Sequence, residues 1–324
     1  MINFISTKQA TSLMNKLGRE GKDFLFAFDY ELTKALVVEQ PLKQKEILFS
    51  VSGYTNSENI QPKHKVNISP CFIKYSSYEK GFELIEKSLL RGDSYLANYT
   101  VSTPIETTHS LQEIFYSVNS LFKIYVPNAF VCFSPERFVK IENNNIFTYP
   151  MKGTIDASLP YASTTILNDK KETAEHITIV DLLRNDIGMV ANNVRVKRFR
   201  YIDEIKTNQG SILQVSSEIV GDLDKNWYSV LGDIILKLLP AGSICGAPKQ
   251  STIRAIAQAE NKKRGFYTGV FGYFDGNKLD SAVLIRFVEK EGNNYFFRSG
   301  GGITVNSDCK KEYEEVNQKI YLPL

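Results

Sequence analysis

The chain has 324 residues, of which 43% are hydrophobic and 23% charged, and its formal net charge is +3. These values are ordinary for a soluble globular protein of one large or two average domains. The chain has no long block of Lys and Arg, which argues against nucleic-acid binding. Its densest basic cluster, residues 195–200, alternates as the exposed face of a strand would.

The four cysteines, Cys71, Cys132, Cys245 and Cys309, are widely spaced, and the chain has only three histidines. This pattern argues against a zinc site and favours reduced thiols. No signal peptide is recognisable, and the most apolar stretch, residues 231–240, is too short to cross a bilayer. We therefore expect a cytoplasmic protein that binds neither membrane nor nucleic acid.

The first 130 residues are predicted to contain short strands and two helices. Apolar runs predict the strands, and apolar residues spaced three or four apart predict the helices. The predicted strands are residues 24–28, 47–51 and 95–101, the predicted helices are residues 78–90 and 111–121, and residues 56–62 are predicted to be a loop.

Beyond residue 130, hairpins dominate the predicted structure. Asn143, Asn144 and Asn145 predict a turn between two strands. The predicted helices are 169–183, capped by Asn168 or Asp169, 227–239, 249–259 after Pro248, and 308–320, capped by Ser307, and the predicted strands are 267–274, 282–290 and 295–297. Strands joined by short turns, with helices scattered between them, predict an α+β fold built on antiparallel sheet.

Two predicted helices each carry a pair of carboxylates three residues apart. Glu172 and Glu175 share one helix face, and Glu312 and Glu315 share another. If the pairs face each other, their oxygens suit a hard cation such as Mg²⁺. The alternative is that both are ordinary solvated helix faces.

Lys152 follows apolar Pro150 and Met151 and precedes a Gly-Thr turn. A lysine held against an apolar wall loses part of the stabilisation of its charged form, which makes it a candidate nucleophile. The alternative is a surface lysine at the end of a strand. Glu136 lies just before the same hairpin, either as a candidate acid or in a loop ion pair with Arg137.

Three further features indicate anion binding. Residues 300–302 are consecutive glycines after a predicted strand, and residues 240–249 form a Gly-rich turn before a helix. The alternatives are a sharp bend and a tight connection. Arg286 ends an apolar strand, so it requires an anion, either Asp280 or a substrate carboxylate.

Eight strings resemble, in order, those of the chorismate-utilising enzymes, which include anthranilate, aminodeoxychorismate, isochorismate and salicylate synthases. The strings are SPERF (134–138), PMKGT (150–154), KETAEHITIVDLLRND (171–186), PAGSICGAPK (240–249), YTGVFGY (267–273), DSAVLIR (280–286), SGGGIT (299–304) and EYEE (312–315). The resemblance implies two large antiparallel sheets packed on each other with helices on the outer faces. It covers residues 92–324 as the catalytic region, and residues 1–91 are expected to be a shortened N-terminal part of the same domain.

The resemblance also implies a role for each candidate residue. Glu175 and Glu315 are expected to bind Mg²⁺, with Glu172 and Glu312 as nearby second carboxylates. Glu136 is expected to protonate the departing C4 hydroxyl of chorismate. The expected substrate contacts are Gly153 and Thr154 at the ring, Tyr267, Arg286, Gly301 and Gly302 at the enolpyruvyl carboxylate, and Lys319 on the face of Glu315.

Lys152 distinguishes the subfamilies, because aminodeoxychorismate synthases resemble this chain in carrying lysine where anthranilate and isochorismate synthases usually have alanine. The resemblance therefore implies Mg²⁺-dependent amination of chorismate for p-aminobenzoate and folate synthesis, with ammonia from a glutamine amidotransferase subunit. Leu96 replaces the lysine base of isochorismate synthases, and Leu213 is aligned with a histidine linked to pyruvate elimination. The alternatives are an anthranilate synthase component and an inactive chorismate-binding subunit.

Overall fold

The computed structural model describes residues 2–58, 66–207, 210–260 and 262–322. Within these ranges, eighteen strands form two nine-stranded sheets, and their pairings are antiparallel. The predicted loop at residues 56–62 lies outside the described residues from position 59 onward.

The helices and strands have the following bounds. The strands are β1 (Phe24–Phe28), β2 (Ala35–Glu39), β3 (Leu48–Val51), β4 (Tyr54–Thr55), β5 (Ser69–Pro70), β6 (Leu96–Glu106), β7 (Phe122–Val126), β8 (Phe130–Ser134), β9 (Arg137–Glu142), β10 (Asn145–Thr148), β11 (Met151–Asp156), β12 (Asn192–Thr207), β13 (Gly210–Asp222), β14 (Gly246–Ala247), β15 (Val270–Phe274), β16 (Leu279–Val283), β17 (Phe287–Glu291) and β18 (Asn294–Ile303). The helices are α1 (Thr7–Arg19), α2 (Tyr75–Leu90), α3 (Leu111–Ser117), α4 (Ala162–Asn168), α5 (Lys170–Gly188), α6 (Leu231–Leu238), α7 (Gly242–Cys245), α8 (Lys249–Ala259) and α9 (Cys309–Gln318), with 3₁₀ turns at Pro41–Lys43 and Trp227–Val230.

The two sheets have defined strand orders. The first is β11-β13-β10-β9-β16-β15-β1-β2, and β12 also pairs with β13. The second is β14-β6-β18-β17-β8-β7-β3-β4, and β5 also pairs with β6. The first 91 residues contribute to both sheets, because β1 pairs with β15 and β3 pairs with β7.

Strand β1 shows how the layers are arranged, because all five of its residues are buried. Phe24, Phe26 and Phe28 pack with apolar residues of α1 and α6 on one face of the sheet. Leu25 and Ala27 point the other way and pack with apolar residues of the second sheet. Successive side chains of a strand point to opposite faces, so this strand lies between a helical layer and a facing sheet. The predicted α+β fold of packed antiparallel sheets with outer helices is confirmed.

The predicted strand at residues 282–290 is wrong, because two strands occupy this stretch. β16 ends at Val283 in the first sheet, and β17 begins at Phe287 in the second. Arg286 lies between them with a φ of 53°, in the left-handed region. The whole stretch is apolar on either side of the crossing, so periodicity does not reveal where the chain changes sheets.

The glycines at residues 300–302 do not follow a strand but continue β18, which pairs with β6 from Tyr295 to Ile303. Asp308, rather than Ser307, caps α9, because its side chain accepts a hydrogen bond from the Lys311 amide. Helix α3 ends at Ser117, four residues earlier than predicted, while α5 continues to Gly188.

Strand β12 presents the basic cluster predicted from the sequence. Arg195, Lys197 and Arg198 are exposed, and β13 is the partner of β12 among the described residues. The cluster is therefore the exposed face of an edge strand, as predicted.

Among the described residues, the helical segment Trp227–Cys245 is long and apolar enough to cross a membrane by composition. It is not one continuous helix, since it consists of a 3₁₀ turn, α6 and α7. Leu231, Ile235 and Leu238 are buried in the core beside β1. The segment packs inside the protein as a core element.

A buried ion pair joins three elements of the fold. The Arg264 side chain is 1% exposed, and its Nη2 donates to Glu260 Oε1 at 2.7 Å. Arg264 also donates to the carbonyl oxygens of Asn98 in β6 (2.5 Å) and Ile244 in α7 (3.0 Å). Glu260 accepts a further hydrogen bond from the Thr100 amide (2.9 Å). These hydrogen bonds fix α7 and β6 relative to the end of α8.

We expect Arg264→Met to lower the free energy of unfolding by about 3–5 kcal/mol, because Glu260 would be left buried without its counter-charge. Arg254→Met is the matched control, since Arg254 is exposed on α8, and it should change stability by less than about 0.5 kcal/mol. Urea denaturation followed by circular dichroism measures both. Equal losses in the two variants would contradict a stabilising role for the buried pair.

Candidate active site

Every site residue predicted from the sequence lies on the wall of one cavity, which has a volume of about 580 Å³. Both sheets contribute, through β9 and β11 of the first and β6 and β18 of the second. Helices α5, α7 and α9 and the connections that lead into β9, β15 and β17 supply further polar groups. The predicted residues on the wall are Glu136, Lys152, Gly153, Thr154, Glu172, Glu175, Tyr267, Arg286, Gly301, Gly302, Glu312, Glu315 and Lys319.

A bulge in β11 positions Lys152. The pairing of β11 with β13 shifts register between Lys152 and Thr154, and Gly153 has a φ of +76°. A Cβ atom on Gly153 would lie 3.0 Å from Glu172 Oε2. Glycine therefore allows both the backbone conformation and the close approach of an α5 carboxylate.

The environment of Lys152 differs from the apolar wall predicted for it. Its Nζ lies 3.1 Å from Glu175 Oε2, with 32% of the lysine side chain and 25% of the glutamate side chain exposed. Lys171 Nζ is 3.9 Å from the other oxygen of Glu175. The close partner of the Lys152 ammonium group is therefore a carboxylate and not an apolar wall.

Glu136 is half-buried at the cavity wall and accepts a hydrogen bond from Ser243 Oγ at 2.6 Å. Burial raises the pKa of its carboxyl group, although Ser243, Lys152 and Arg286 oppose this shift. The predicted alternative, an ion pair with Arg137, is wrong, because Arg137 Nε donates to Asp280 Oδ1 at 2.8 Å. A carboxyl group with a raised pKa retains its proton to higher pH, as a general acid requires.

Arg286 reaches the cavity from the crossing between the sheets. Asp280, one of its two predicted partners, is bound by Arg137 instead. Among the described residues, no carboxylate oxygen lies within 4.0 Å of the Arg286 guanidinium, which is 5.1 Å from the Tyr321 ring centre. A non-glycine residue in left-handed conformation is strained, and such strain concentrates at functional sites. The Arg286 guanidinium therefore reaches the cavity without a carboxylate partner among the described residues.

Tyr267 lies on the same wall as Arg286. It is only 4% exposed, and burial raises its pKa to about 12. Its phenol stays protonated at neutral pH, so it is available as a neutral hydrogen-bond donor.

The predicted pairs of carboxylates on α5 and α9 lie on the wall of one cavity. Burial, together with Glu175, raises the pKa of Glu172, and burial, together with Glu315, raises the pKa of Glu312. Burial opposes ionisation of Glu315 as well, but Lys319, at 2.7 Å, outweighs it and lowers the pKa of Glu315.

The donor set of these four residues fits Mg²⁺, because it consists only of carboxylate oxygens. Within the described residues, however, no three acidic, histidine or cysteine side chains are already arranged to hold a metal ion. Two of the carboxylates, those of Glu175 and Glu315, are engaged by lysines.

The glycines of β18 allow α9 to approach the strand closely. A Cβ atom on Gly301 would lie 3.4 Å from Glu312 Oε2 and 3.8 Å from Lys319 Nζ. Lys319 Nζ also donates to the Gly300 carbonyl oxygen at 3.0 Å. Side chains at these positions would press against the polar groups of α9.

Sequence reasoning missed the roles of several polar residues. Ser243 hydrogen bonds to Glu136, and Ser307 Oγ donates to Glu312 at 2.8 Å. The sequence leaves two interpretations of the Gly-rich turn at residues 240–249, anion binding and a tight connection. The Gly242 amide hydrogen bonds to the protein's own Asp186, which favours the tight connection. The PAGSICGAPK string contains Ser243, so the motif itself was the available signal.

Leu96 and Leu213, the two expected departures from the family pattern, lie in different parts of the structure. Leu96 lies on the cavity wall, so an apolar side chain occupies the position predicted for a base. Leu213 is buried in β13, and none of the described residues of β13 lies on the wall.

The comparisons with known proteins agree on one protein family. The chorismate binding enzyme family matches residues 19–324, so the likeness begins well before residue 92. An uncharacterised PabA-like protein of Haemophilus influenzae is 49% identical over 96% of this chain and 95% of its own length. Anthranilate synthase component 1 of Archaeoglobus fulgidus is 31% identical over 92% of this chain and 72% of its own. Aminodeoxychorismate synthase component 1 of Bacillus subtilis is 29% identical over 75% of this chain and 54% of its own length.

Among solved structures, the menaquinone-specific isochorismate synthase of Escherichia coli superimposes with a TM-score of 0.76. The match covers 98% of this chain and 82% of that protein, at 14% sequence identity, and so concerns the fold alone. The sequence match over residues 19–324 and the cavity that gathers the motif residues lead to one conclusion. The chain belongs to the chorismate binding enzyme family.

Proposed function

We propose that this protein is an aminodeoxychorismate synthase component I, which aminates chorismate at C4 to give 4-amino-4-deoxychorismate for p-aminobenzoate and folate synthesis. The observation that carries the proposal is Lys152 on the cavity wall, close enough to Glu136 to influence its ionisation. The anthranilate synthase and the aminodeoxychorismate synthase compared above have nearly the same sequence identity to this chain, 31% and 29%. Overall sequence identity therefore does not separate the two activities.

The proposed reaction uses Lys152 as a nucleophile and Glu136 as an acid. The amine of Lys152 adds to C2 of chorismate, both conjugated ring double bonds shift, and the C4 hydroxyl leaves as water with the proton of Glu136. Ammonia then adds at C4, both double bonds shift back, and the bond between C2 and the lysine nitrogen breaks. A proton lost from the added ammonia restores the Glu136 carboxyl group. The sum is replacement of a hydroxyl by an amine with release of one water.

The two carboxylates of chorismate require separate partners. We assign the enolpyruvyl carboxylate to Arg286 and Tyr267, together with the backbone at Gly301 and Gly302. Gly153 and Thr154 would lie along the ring.

Glu175 and Glu315 would hold Mg²⁺, assisted by Glu172 and Glu312. When bound, Mg²⁺ would neutralise the ring carboxylate. Lys319 would contribute a further positive charge on the same wall.

Leu96 supports amination over hydration, because an apolar side chain cannot activate water for attack at C2. We propose that ammonia is supplied by a glutamine amidotransferase subunit and that the enzyme works in the cytoplasm, where its four free cysteines remain reduced.

A second candidate function is anthranilate synthesis, which the relative from Archaeoglobus fulgidus supports through its 31% identity and broad coverage. It requires loss of pyruvate after amination, so the two activities give different products from the same substrates. A chorismate-binding subunit without activity would give neither product.

We expect the purified protein with chorismate, Mg²⁺ and an ammonium salt to yield p-aminobenzoate only when aminodeoxychorismate lyase is added. Lys152→Ala should lower this rate roughly 100-fold or more, because the nucleophile is removed. Lys170→Ala is the control, since Lys170 is exposed on α5, and it should retain activity. Mass spectrometry identifies the product. The proposal would be wrong if the product were anthranilate, or if Lys152→Ala aminated chorismate at the full rate.

The hydrogen bond from Ser243 gives a separate test of Glu136 as the acid. This bond lowers the pKa of Glu136, so Ser243→Ala should raise that pKa. The acid then keeps its proton to higher pH, and the alkaline limb of the kcat/KM profile should move to higher pH. The exposed Ser163 provides the control Ser163→Ala. An unmoved limb, or one displaced to lower pH, would argue against Glu136 as the acid.

A further inference from the structure

Two lysines at the cavity engage the same carboxylates that we assign to Mg²⁺. We propose that Lys152 and Lys319 are internal counter-ions of Glu175 and Glu315, and that a divalent cation displaces them when it binds. Cation binding would then release the Lys152 amine toward the substrate. This inference rests on the proposed function in so far as it takes Mg²⁺ as the cation.

The contacts are distributed evenly over the two carboxylate pairs. Lys152 Nζ is 3.1 Å from Glu175 Oε2, and Lys319 Nζ is 2.7 Å from Glu315 Oε1. Among the described residues, no lysine or arginine nitrogen lies within 4.0 Å of the carboxylate of Glu172 or Glu312. One carboxylate of each helix therefore carries a close lysine, and the other does not.

The two lysines offset the negative charge of the carboxylates in a cavity that is partly shielded from water. Like carboxylates on one wall repel each other, and a close cation offsets this repulsion. An ammonium that donates to a carboxylate oxygen also repels a second cation approaching that oxygen. The lysines and a divalent cation therefore compete for Glu175 and Glu315.

The two lysines differ in the hydrogen-bond partners that they keep after a cation displaces them. Lys319 also donates to the Gly300 carbonyl oxygen, so it keeps a second partner. Lys152 makes its hydrogen bond to Glu175, and the described residues offer it no other. Displacement from Glu175 therefore leaves the Lys152 side chain without a partner among the described residues, so that it can turn toward the substrate. The structure thus links occupation of the carboxylates to the availability of the proposed nucleophile.

Calorimetric titration of the full chain with Mg²⁺, in the absence of chorismate, tests the competition directly. Lys152→Met and Lys319→Met should each bind Mg²⁺ about tenfold or more tightly than the unmodified protein, because an internal competitor has been removed. Lys171→Met is the matched control. It removes the same charge beside Glu175, but Lys171 is 74% exposed and 3.9 Å away, so its effect should be clearly smaller.

The outcomes separate this inference from the proposed function. Unchanged or weaker binding in Lys152→Met and Lys319→Met, or an equal gain in Lys171→Met, overturns the counter-ion role and leaves amination untouched. Failure of Mg²⁺ to bind any of the four proteins overturns the inference together with the metal assignment. Normal amination by the unmodified protein in the product assay would still uphold the reaction itself.

A second measurement follows the released amine. An amine-reactive ester labels accessible lysines, and mass spectrometry reports the extent at each position. Mg²⁺ should increase labelling of Lys152 several-fold, since the ion pair that masks it is broken, and leave exposed Lys170 unchanged. Equal labelling of Lys152 with and without Mg²⁺ would contradict its release.

Discussion

The face-to-face packing of the two sheets is the constraint on which the rest of the structure depends. Strands such as β1 are buried on both faces, so they have no place for a charged side chain without a partner. The buried charge of Arg264 is accordingly matched by Glu260 and by backbone carbonyl groups. Two other buried charges are paired as well, Asp186 with Lys249 and Arg298 with Glu289. A larger group of charged side chains lines the cavity, where both sheets supply backbone and helices supply charge. The site is thus a consequence of where this sandwich can accommodate polar groups.

Within the cavity, the arrangement keeps opposite charges close and leaves selected groups without a strong partner. Glu175 and Glu315 have lysines, whereas Arg286 has no carboxylate within ion-pair distance among the described residues. Among the described residues, Glu136 accepts one side-chain hydrogen bond, from a serine hydroxyl, and burial raises the pKa of its carboxyl group despite that bond. The proposed substrate, which carries carboxylates and loses a hydroxyl, would use both the unpaired cation and the protonatable acid.

The sequence predicted those features that depend on local patterns. The bounds of β1 and α8 agree with prediction, since an apolar run defines the strand and Pro248 precedes the helix. The change of sheet at Arg286 was missed because both flanking strands are apolar. The motif resemblance identified residues that all lie on the cavity wall, but not their contacts. The bonds of Lys152 to Glu175 and of Ser243 to Glu136 join positions far apart in the chain, so only the folded structure reveals them.

The exposed edge strand β12 has a consequence for how copies of the protein behave toward each other. A long strand with a free edge is a template for pairing with a strand of another molecule, which leads to aggregation. Strand β12 has an irregular edge, because its pairing with β13 shifts register three times, between Asn192 and Arg195, between Val196 and Arg198, and between Arg198 and Tyr201. Such bulges bend and twist a strand and interrupt the regular row of backbone groups that a second strand would need. The bulged edge therefore works against self-association of the protein.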